Sequence, residues 1–343
     1  MARGPQVQPK EGIKMSLLSL RASRSRRMLA LASMASAFVL AASAHADDKQ
    51  LVFYEASHAW LGHPFWNVLN KGMKDAAEKY GVKVVSLQEN SPPNSGQQSE
   101  KIDRAIAANP DGLIVSLPDA KGVESSLKRA TEKGIPIIAM NVGDTRPAGE
   151  RIPYLFYIGG DEKLGGERAA DYILSHKKPT SGLCVNTNAG QSGLVARCEG
   201  FTTTYKKANV KAETIVVPPD SPTQAAEQFR AYLTANPDIA SVFVVDPTYT
   251  VEIMKVLEEA GKSDQVTLFS YDMSKEVIDA IEKGKILGTV DQQQYLQGYL
   301  AVEFLYLNKE HGFTLAQDIL TGPAIIDKDN VAAVKANVTA GYR

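Results

Sequence analysis

The chain has 343 residues, 44% of them apolar and 22% charged, with 38 Lys and Arg against 39 Asp and Glu. This is ordinary globular composition with room for two domains, and the balanced charge without a basic patch excludes nucleic acid as an expected partner. Two cysteines outside CxxC spacing and five scattered histidines leave no expectation of a metal or a cofactor.

The first 46 residues stand apart. Arg21, Arg24, Arg26 and Arg27 precede a charge-free run, Met28 to Ala44, and then Ala44-His45-Ala46. A basic segment, an apolar run and small residues at the two positions a signal peptidase reads predict a signal peptide over 1–46, cleaved after Ala46. The rival reading is an uncleaved anchor. Its run of 17 residues is marginal for a bilayer. Met15 is an alternative start, because residues 1–14 add nothing a signal needs. Without residues 1–46 the chain keeps 31 basic and 38 acidic residues, net −7, and no other long apolar run.

From Gln50 onward strand and helix alternate. Leu51–Tyr54 is a short apolar strand, and the turn that follows it collects Trp60, His63, Phe65 and Trp66 before a helix from Trp66 to Tyr80 ended by Gly81. Strands are expected at 82–87, 113–116 and 135–141, with helices at 99–108 and 120–133; residues 90–96 read as loop. After Ile158-Gly159-Gly160-Asp161 a helix at 163–175 opens a second series. Its strands are expected at 182–186, 213–217, 240–245, 266–271 and 287–290, its helices at 193–207, 223–235, 250–260 and 275–283, and a long helix at 292–308 closes it. Continuously apolar strands between amphipathic helices indicate parallel sheets covered on both faces. The fold class expected is therefore α/β, with two doubly wound parallel-sheet lobes.

Ligands of open parallel sheets collect outside the carboxyl ends of the strands. The residues found there are His63, Phe65 and Trp66, then Ser116 and Asn141, and in the second half Asp220, Asp246, Asp272 and Gln292, with the Asn188–Ser192 loop and Arg197 nearby. Carboxylates, amides and one guanidinium beside aromatic faces suit a neutral polyhydroxylated ligand. Each Asp, Asn or Ser taken alone reads equally as a helix N-cap, and Phe65 and Trp66 read equally as core. No phosphate loop, no dinucleotide fingerprint and no nucleophile elbow is present. Cys184 and Cys198 are read either as one disulfide or as two buried thiols, since spacing does not supply the geometry.

With these residues laid out, the chain resembles the periplasmic sugar-binding proteins of ABC importers, of the ribose/galactose type, relatives of the ligand domains of lac-repressor-type regulators. The marks are His63-Pro64-Phe65-Trp66, Asp111-Gly112-Leu113-Ile114-Val115, Gly134-Ile135-Pro136-Ile137-Ile138, Ile158-Gly159-Gly160-Asp161 with Gly165-Gly166, and Arg197-Cys198-Glu199-Gly200-Phe201. The resemblance implies a type I periplasmic binding fold whose two lobes close on a sugar about a hinge of three chain crossings, near Gly159-Gly160, Asp291-Gln292 and Thr321-Gly322-Pro323. It implies an N-terminal lobe of 47–158 plus 293–322 and a C-terminal lobe of 159–292 plus 323–343. It also implies that Phe65 and Trp66 stack on the sugar, that Ser116 and Asn141 bind it from the first lobe, and that Arg197, Asp246, Asp272 and Gln292 bind it from the second.

Several positions depart from the family pattern. Ser57-His58-Ala59-Trp60 is added ahead of the usual turn, so Ser57, His58 and Trp60 are further candidates for ligand choice. His63 stands where Asn is usual, Asn141-Val142 replaces Asp-Arg, Val195 replaces one of two arginines, and Asp220 replaces an aromatic. These changes argue against a plain ribose binder. The expected function is non-enzymatic: an exported periplasmic monomer that captures a sugar or polyol and delivers it to an importer's permease, with a chemoreceptor as a further partner. A signal-solute receptor of the same fold and a secreted α/β hydrolase are the competing classes.

Overall fold

The computed structural model describes residues 49–343. The expected signal peptide and its cleavage after Ala46 lie outside them. β1 (Val52–Glu55) leads through an aromatic turn into α1 (Pro64–Tyr80), followed by β2 (Lys83–Ser86), α2 (Ser95–Ala107), β3 (Gly112–Val115), α3 (Ala120–Glu132), β4 (Ile137–Asn141) and β5 (Tyr157–Gly160). The second series is α4 (Glu162–Lys177), β6 (Ser181–Asn186), α5 (Ser192–Lys207), β7 (Lys211–Val216), α6 (Pro222–Ala235), β8 (Ser241–Val244), α7 (Pro247–Glu259), β9 (Thr267–Tyr271), α8 (Lys275–Glu282) and β10 (Gly288–Asp291). Then come α9 (Gln294–His311), β11 (Ile319–Gly322), β12 (Ala324–Asp327) and α10 (Val331–Thr339).

Two six-stranded sheets result, ordered β11-β5-β4-β3-β1-β2 and β12-β10-β9-β8-β6-β7. The central strands Gly-Leu-Ile-Val of β3 and Ser-Val-Phe-Val of β8 are buried along their whole length, as strands covered on both faces must be. The outer strands β2 and β7 carry Lys, Ser, Glu and Thr and are partly exposed. The first sheet is parallel throughout. In the second, β12 pairs antiparallel with β10 at the edge of an otherwise parallel sheet. The reason is connectivity. β11 finishes at the end of its sheet where the chain crosses over, and only Pro323 separates it from β12. That strand therefore enters the second sheet from the end where its neighbours leave.

Local chemistry sets the helix boundaries. Pro64 opens α1 at its first turn and Gly81, at φ 66°, closes it in the left-handed region. α2 starts four residues earlier than periodicity suggests. Asn94 Oδ1 accepts from the Gln97 amide at 3.0 Å while Gln97 Oε1 accepts from the Asn94 amide at 2.9 Å, a reciprocal capping box. α7 starts at Pro247, capped by Asp246, three residues before the periodic pattern. β11 and α10 carry no pattern that announced them.

Each sheet is covered by a helix pair that meets through glycines. In the first, Gly72 of α1 faces the Tyr295 carbonyl and Gly298 of α9 faces the Leu69 carbonyl; a Cβ at either would sit 2.1 Å from that oxygen. In the second, Gly166 of α4 lies against Arg197 and Gly200 of α5 against Lys163, at 1.9 and 2.1 Å for the same built Cβ. The two halves thus use one packing device. Cys184 of β6 and Cys198 of α5 are joined by a disulfide with Cα atoms 5.6 Å apart, within the core that holds Phe201, Tyr205 and Phe243.

Gly200→Ala is expected to lower unfolding free energy by at least about 2 kcal/mol in urea titration, because backbone must shift to admit the methyl. Gly149→Ala, where nothing lies within 4 Å of the new carbon, should stay within about 0.5 kcal/mol of the parent. Replacing both cysteines by Ala opens a cross-link over 14 residues and should cost about 3 kcal/mol in the same titration.

Candidate functional site

Both sheets have a point where successive connections leave in opposite directions. β1 lies between β2 and β3 in the first, and β6 between β7 and β8 in the second. Crevices form at such points, outside the carboxyl ends of the strands. The loops that leave β1, β6 and β8 there carry His58 to His63, Thr187 to Gln191, and Val245 with Asp246. Together with residues from the other strand ends they line one cavity between the two sheets.

The wall from the first sheet is aromatic. His58 packs edge-on against Trp66 at 4.8 Å between ring centroids, Phe65 against Trp66 at 4.9 Å, and Trp60 lies over His63 at 4.5 Å. Phe65 and Trp66 belong to the core of this lobe and are 3% and 2% exposed, yet both line the cavity. The two readings of these residues, core and cleft, both describe their placement. The segment before the turn is anchored to the chain just beyond β2: Trp60 bridges Glu89, and the Leu61 amide donates to the Glu89 carbonyl at 2.9 Å.

The opposite wall is polar and centres on Arg197. Its Nε donates to Glu162 Oε2 at 2.6 Å and its Nη1 to the Val245 carbonyl at 2.9 Å, with Asp272 Oδ2 3.7 Å away. The guanidinium lies 3.6 Å above the Tyr271 ring, whose hydroxyl donates to the same Glu162 oxygen. Burial opposes the charge on Arg197, but Glu162, Tyr271 and Asp272 outweigh it and keep the group a cation. Burial pushes the Asp272 carboxyl up to about 7, against the pull of Arg197 and of the Gln292 amide, which donates to Asp272 Oδ1 at 2.8 Å. Asn141 and Asp272 occupy matching places at the ends of β4 and β9, and both have left-handed backbone, at φ 65° and 63°.

Among the described residues two hydrogen-bond contacts join the two walls. His63 Nε2 and Asp246 Oδ2 are 3.1 Å apart, and the Ser192 amide donates to the Pro118 carbonyl at 3.0 Å. Asp246 also caps α7, its Oδ1 accepting from the Thr248 and Tyr249 amides. Burial raises its pKa, but His63 and those amides prevail and hold the carboxyl below its ordinary value. The cap reading and the cleft reading of Asp246 therefore describe two oxygens of one carboxylate. Asp272 is not a cap; Ser274 fills that place for α8.

Of the residues singled out from sequence, His63, Phe65, Trp66, Asn141, Arg197, Asp246, Asp272, Gln292, His58 and Trp60 line the cavity. Three do not. Asp220 is exposed on a turn beside a neighbouring groove, because two prolines, Pro218 and Pro219, carry the chain outward after β7. Ser116 is fully buried behind His58, since its side chain is too short to pass that ring. Ser57 is also fully buried; its amide donates to Glu55 and its hydroxyl accepts from Ala59. Thr187, Leu194 and Tyr249 line the cavity without having been selected, and Glu162, the partner of Arg197, was missed. A carboxylate in the first turn of a helix reads locally as a favourable dipole charge and nothing more. Among the described residues no group of three metal-ligating side chains forms, and no helix is long and apolar enough to cross a membrane.

Residues 57–310 match the family model described as periplasmic binding protein domain. The ribose import binding protein RbsB of Escherichia coli strain K12 is 30% identical over 273 residues, 77% of this chain and 87% of that protein. Among solved structures, a carbohydrate transporter from Acidothermus cellulolyticus 11B in complex with myo-inositol superposes with a TM-score of 0.79 at 28% identity, over 86% of this chain and all of that one. A solute-binding protein of an ABC transporter from Agrobacterium vitis, bound to α-D-tagatopyranose, gives 0.74 at 25% identity, over 85% of this chain and 98% of that one.

Burial pulls the His58 pKa down to about 3, aided by Lys101, His63 and Arg197. The unfolded chain takes this proton near 6.5, so His58 leaves stability intact above that pH and erodes it as pH falls toward 3. Asp272, raised in the fold, acts in the opposite sense between 7 and about 3.8. The comparison of wild type with His58→Asn isolates the histidine. Between pH 6.5 and 4.5 the wild type should lose about 2 kcal/mol more than the variant in urea titration.

Proposed function

The chain belongs to the periplasmic binding protein family, and from that premise we propose that it is a periplasmic receptor which captures a neutral sugar or polyol between two lobes and delivers it to the permease of an ABC importer. The observation that carries this reading is the cavity with an aromatic wall on one side and hydrogen-bonding groups on the other. Faces of Trp60, Phe65 and Trp66 suit the C–H surface of a sugar ring. Asn141, Asp246, Asp272 and Gln292 suit its hydroxyls. The ionisable groups present already have partners: Arg197 pairs with Glu162, Asp246 hydrogen-bonds His63, and Asp272 accepts from Gln292. A ligand carrying its own carboxylate or phosphate would find no unpaired cation among the described residues of the cavity. The relatives described above with ribose, myo-inositol and tagatose as their named ligands share such a neutral polyhydroxylated ring.

Residues 47–158 with 293–322, and 159–292 with 323–343, are the bodies proposed to move, about the three crossings. A ligand that touches both walls binds the closed arrangement better than the open one, and that difference drives closure. Both walls come from one chain, so a monomer is the proposed working unit. The permease is its first partner and a chemoreceptor a second. A hydrolase reading gains nothing from the Ser116–His58 pair. The hydroxyl is fully buried, does not line the cavity and accepts the His58 amide, so no substrate reaches it.

Thermal unfolding in the presence of a panel of neutral sugars and polyols tests the proposal. At least one should stabilise the protein by about 2.7 kcal/mol when present at a hundred times its dissociation constant. Asp246→Ala should weaken that ligand by roughly 2–5 kcal/mol in calorimetry. A panel that leaves the melting temperature unmoved at millimolar concentration, or selective response to sugar phosphates, would overturn the reading.

A further inference from the structure

His58 and Ser116 form a pair whose proton positions can be worked out. The Ser116 hydroxyl oxygen accepts the His58 backbone N–H at 3.0 Å and lies 2.6 Å from His58 Nδ1. These are the two side-chain hydrogen bonds of Ser116, and the residue is fully buried. Its one proton has Nδ1 as its available acceptor. Were Nδ1 instead protonated, the hydroxyl would accept twice and its own proton would be stranded in the interior, at a cost that a buried group does not bear lightly. The serine backbone has no freedom to change this, because the buried Gln98 amide donates to both the Ser116 and the Ala56 carbonyls. Nδ1 is therefore the acceptor, and the ring carries its proton on Nε2.

Among the described residues Nε2 has no hydrogen-bond partner, yet it is not among the buried atoms sealed without one, and the ring lines the cavity. Burial of the ring keeps the imidazole neutral, and the nearby Lys101 and Arg197 act in the same direction. We propose that Ser116 positions His58 as the neutral Nε2–H tautomer, and that His58 donates one hydrogen bond into the cavity, so that the site demands a ligand oxygen with a free lone pair at that place. The inference deepens the receptor reading and rests on it. It assigns the two residues different tasks: His58 meets the ligand, and Ser116, which the strand-end rule had put in the cleft, acts through it. A hydroxyl oxygen or a ring oxygen fits the demand. An ammonium or a bare C–H at the same place does not, so amino and deoxy analogues are discriminated there.

The tautomer is read directly from the ¹⁵N resonances of His58 in protein labelled at histidine. The expected pattern is an unprotonated Nδ1 and a protonated Nε2. Ser116→Ala should give a mixture of tautomers and Ser116→Thr, which keeps the hydroxyl, should restore the single one; a merely structural serine would not move this signature. Calorimetry with D-pentoses, D-hexoses and myo-inositol supplies the second arm. For any of these that binds, His58→Phe should weaken it about tenfold, and Ser116→Ala should weaken it while Ser116→Thr does not, with thermal unfolding confirming that each variant is folded. A protonated Nδ1 in the wild type, or a folded His58→Phe that binds within twofold of it, overturns the inference while leaving the receptor reading in place. If none of the probes binds the wild type, the receptor reading fails and the ligand-donor role of His58 fails with it, whatever the tautomer.

Discussion

The buried guanidinium of Arg197 is the interaction on which the rest of the molecule depends. Removing an ion of this size from water costs several kcal/mol, and only a full set of partners offsets it. The partners come from far apart in the chain. Glu162 stands just after the first crossing, the Val245 carbonyl at the end of β8, and Asp272 at the end of β9. Asp272 is held in turn by Gln292 of the second crossing, whose carbonyl accepts the hydroxyl of Thr321 from the third. A chain of hydrogen bonds and one ion pair therefore runs from the polar wall of the cavity to the crossings. In the proposed receptor this is the contact through which occupancy of the cavity would bias the angle between the lobes.

The reciprocal glycine contacts complement that network. Where α1 crosses α9, and again where α4 crosses α5, carbonyls fill the space a Cβ would need. Each lobe is thereby packed as a rigid body, and close-packed interiors transmit displacement instead of absorbing it. At the crossings between these bodies the side chains of Gln293 and Gln297 hydrogen-bond to Thr321 and link the second crossing to the third.

The alternation of apolar runs with amphipathic helices made both sheets and the strand ends legible in the sequence, because burial on two faces forces continuous apolarity. The same signal was silent where burial is slight. α10 buries only Val331 and Val334, and β11 is a short edge strand. The first turn of α2 was hidden by a polar stretch whose meaning lies in the Asn94–Gln97 cap and not in periodicity. Within the site, position at a strand end placed seven side chains at the cavity, but it carries no information on depth. Ser116 shares its position with residues that reach the cleft and is stopped by its own length and by the His58 ring in front of it. Asp220 was carried away by a pair of prolines. Glu162 was invisible because its importance comes from a partner 35 residues away.

The charge arithmetic of the cavity explains why recognition there rests on the direction of hydrogen bonds. Arg197 and Glu162 cancel. Asp246 is matched by His63 across the cleft, and Asp272, with a pKa near 7, is close to half protonated at neutral pH. His58 is neutral because it is buried among positive groups. No cation is left without a partner among the described residues of the cavity, and a carboxylate or phosphate would lose its hydration without a counter-charge in return. A neutral ring with several hydroxyls loses far less. It can donate to the carboxylates of the second lobe and accept from the imidazole of the first. On this view the residues that depart most from the family pattern, the added His58 and Trp60, alter the donor pattern and the apolar wall while leaving the charge balance alone. Ligand choice can thus diverge without disturbing the buried network that the fold requires.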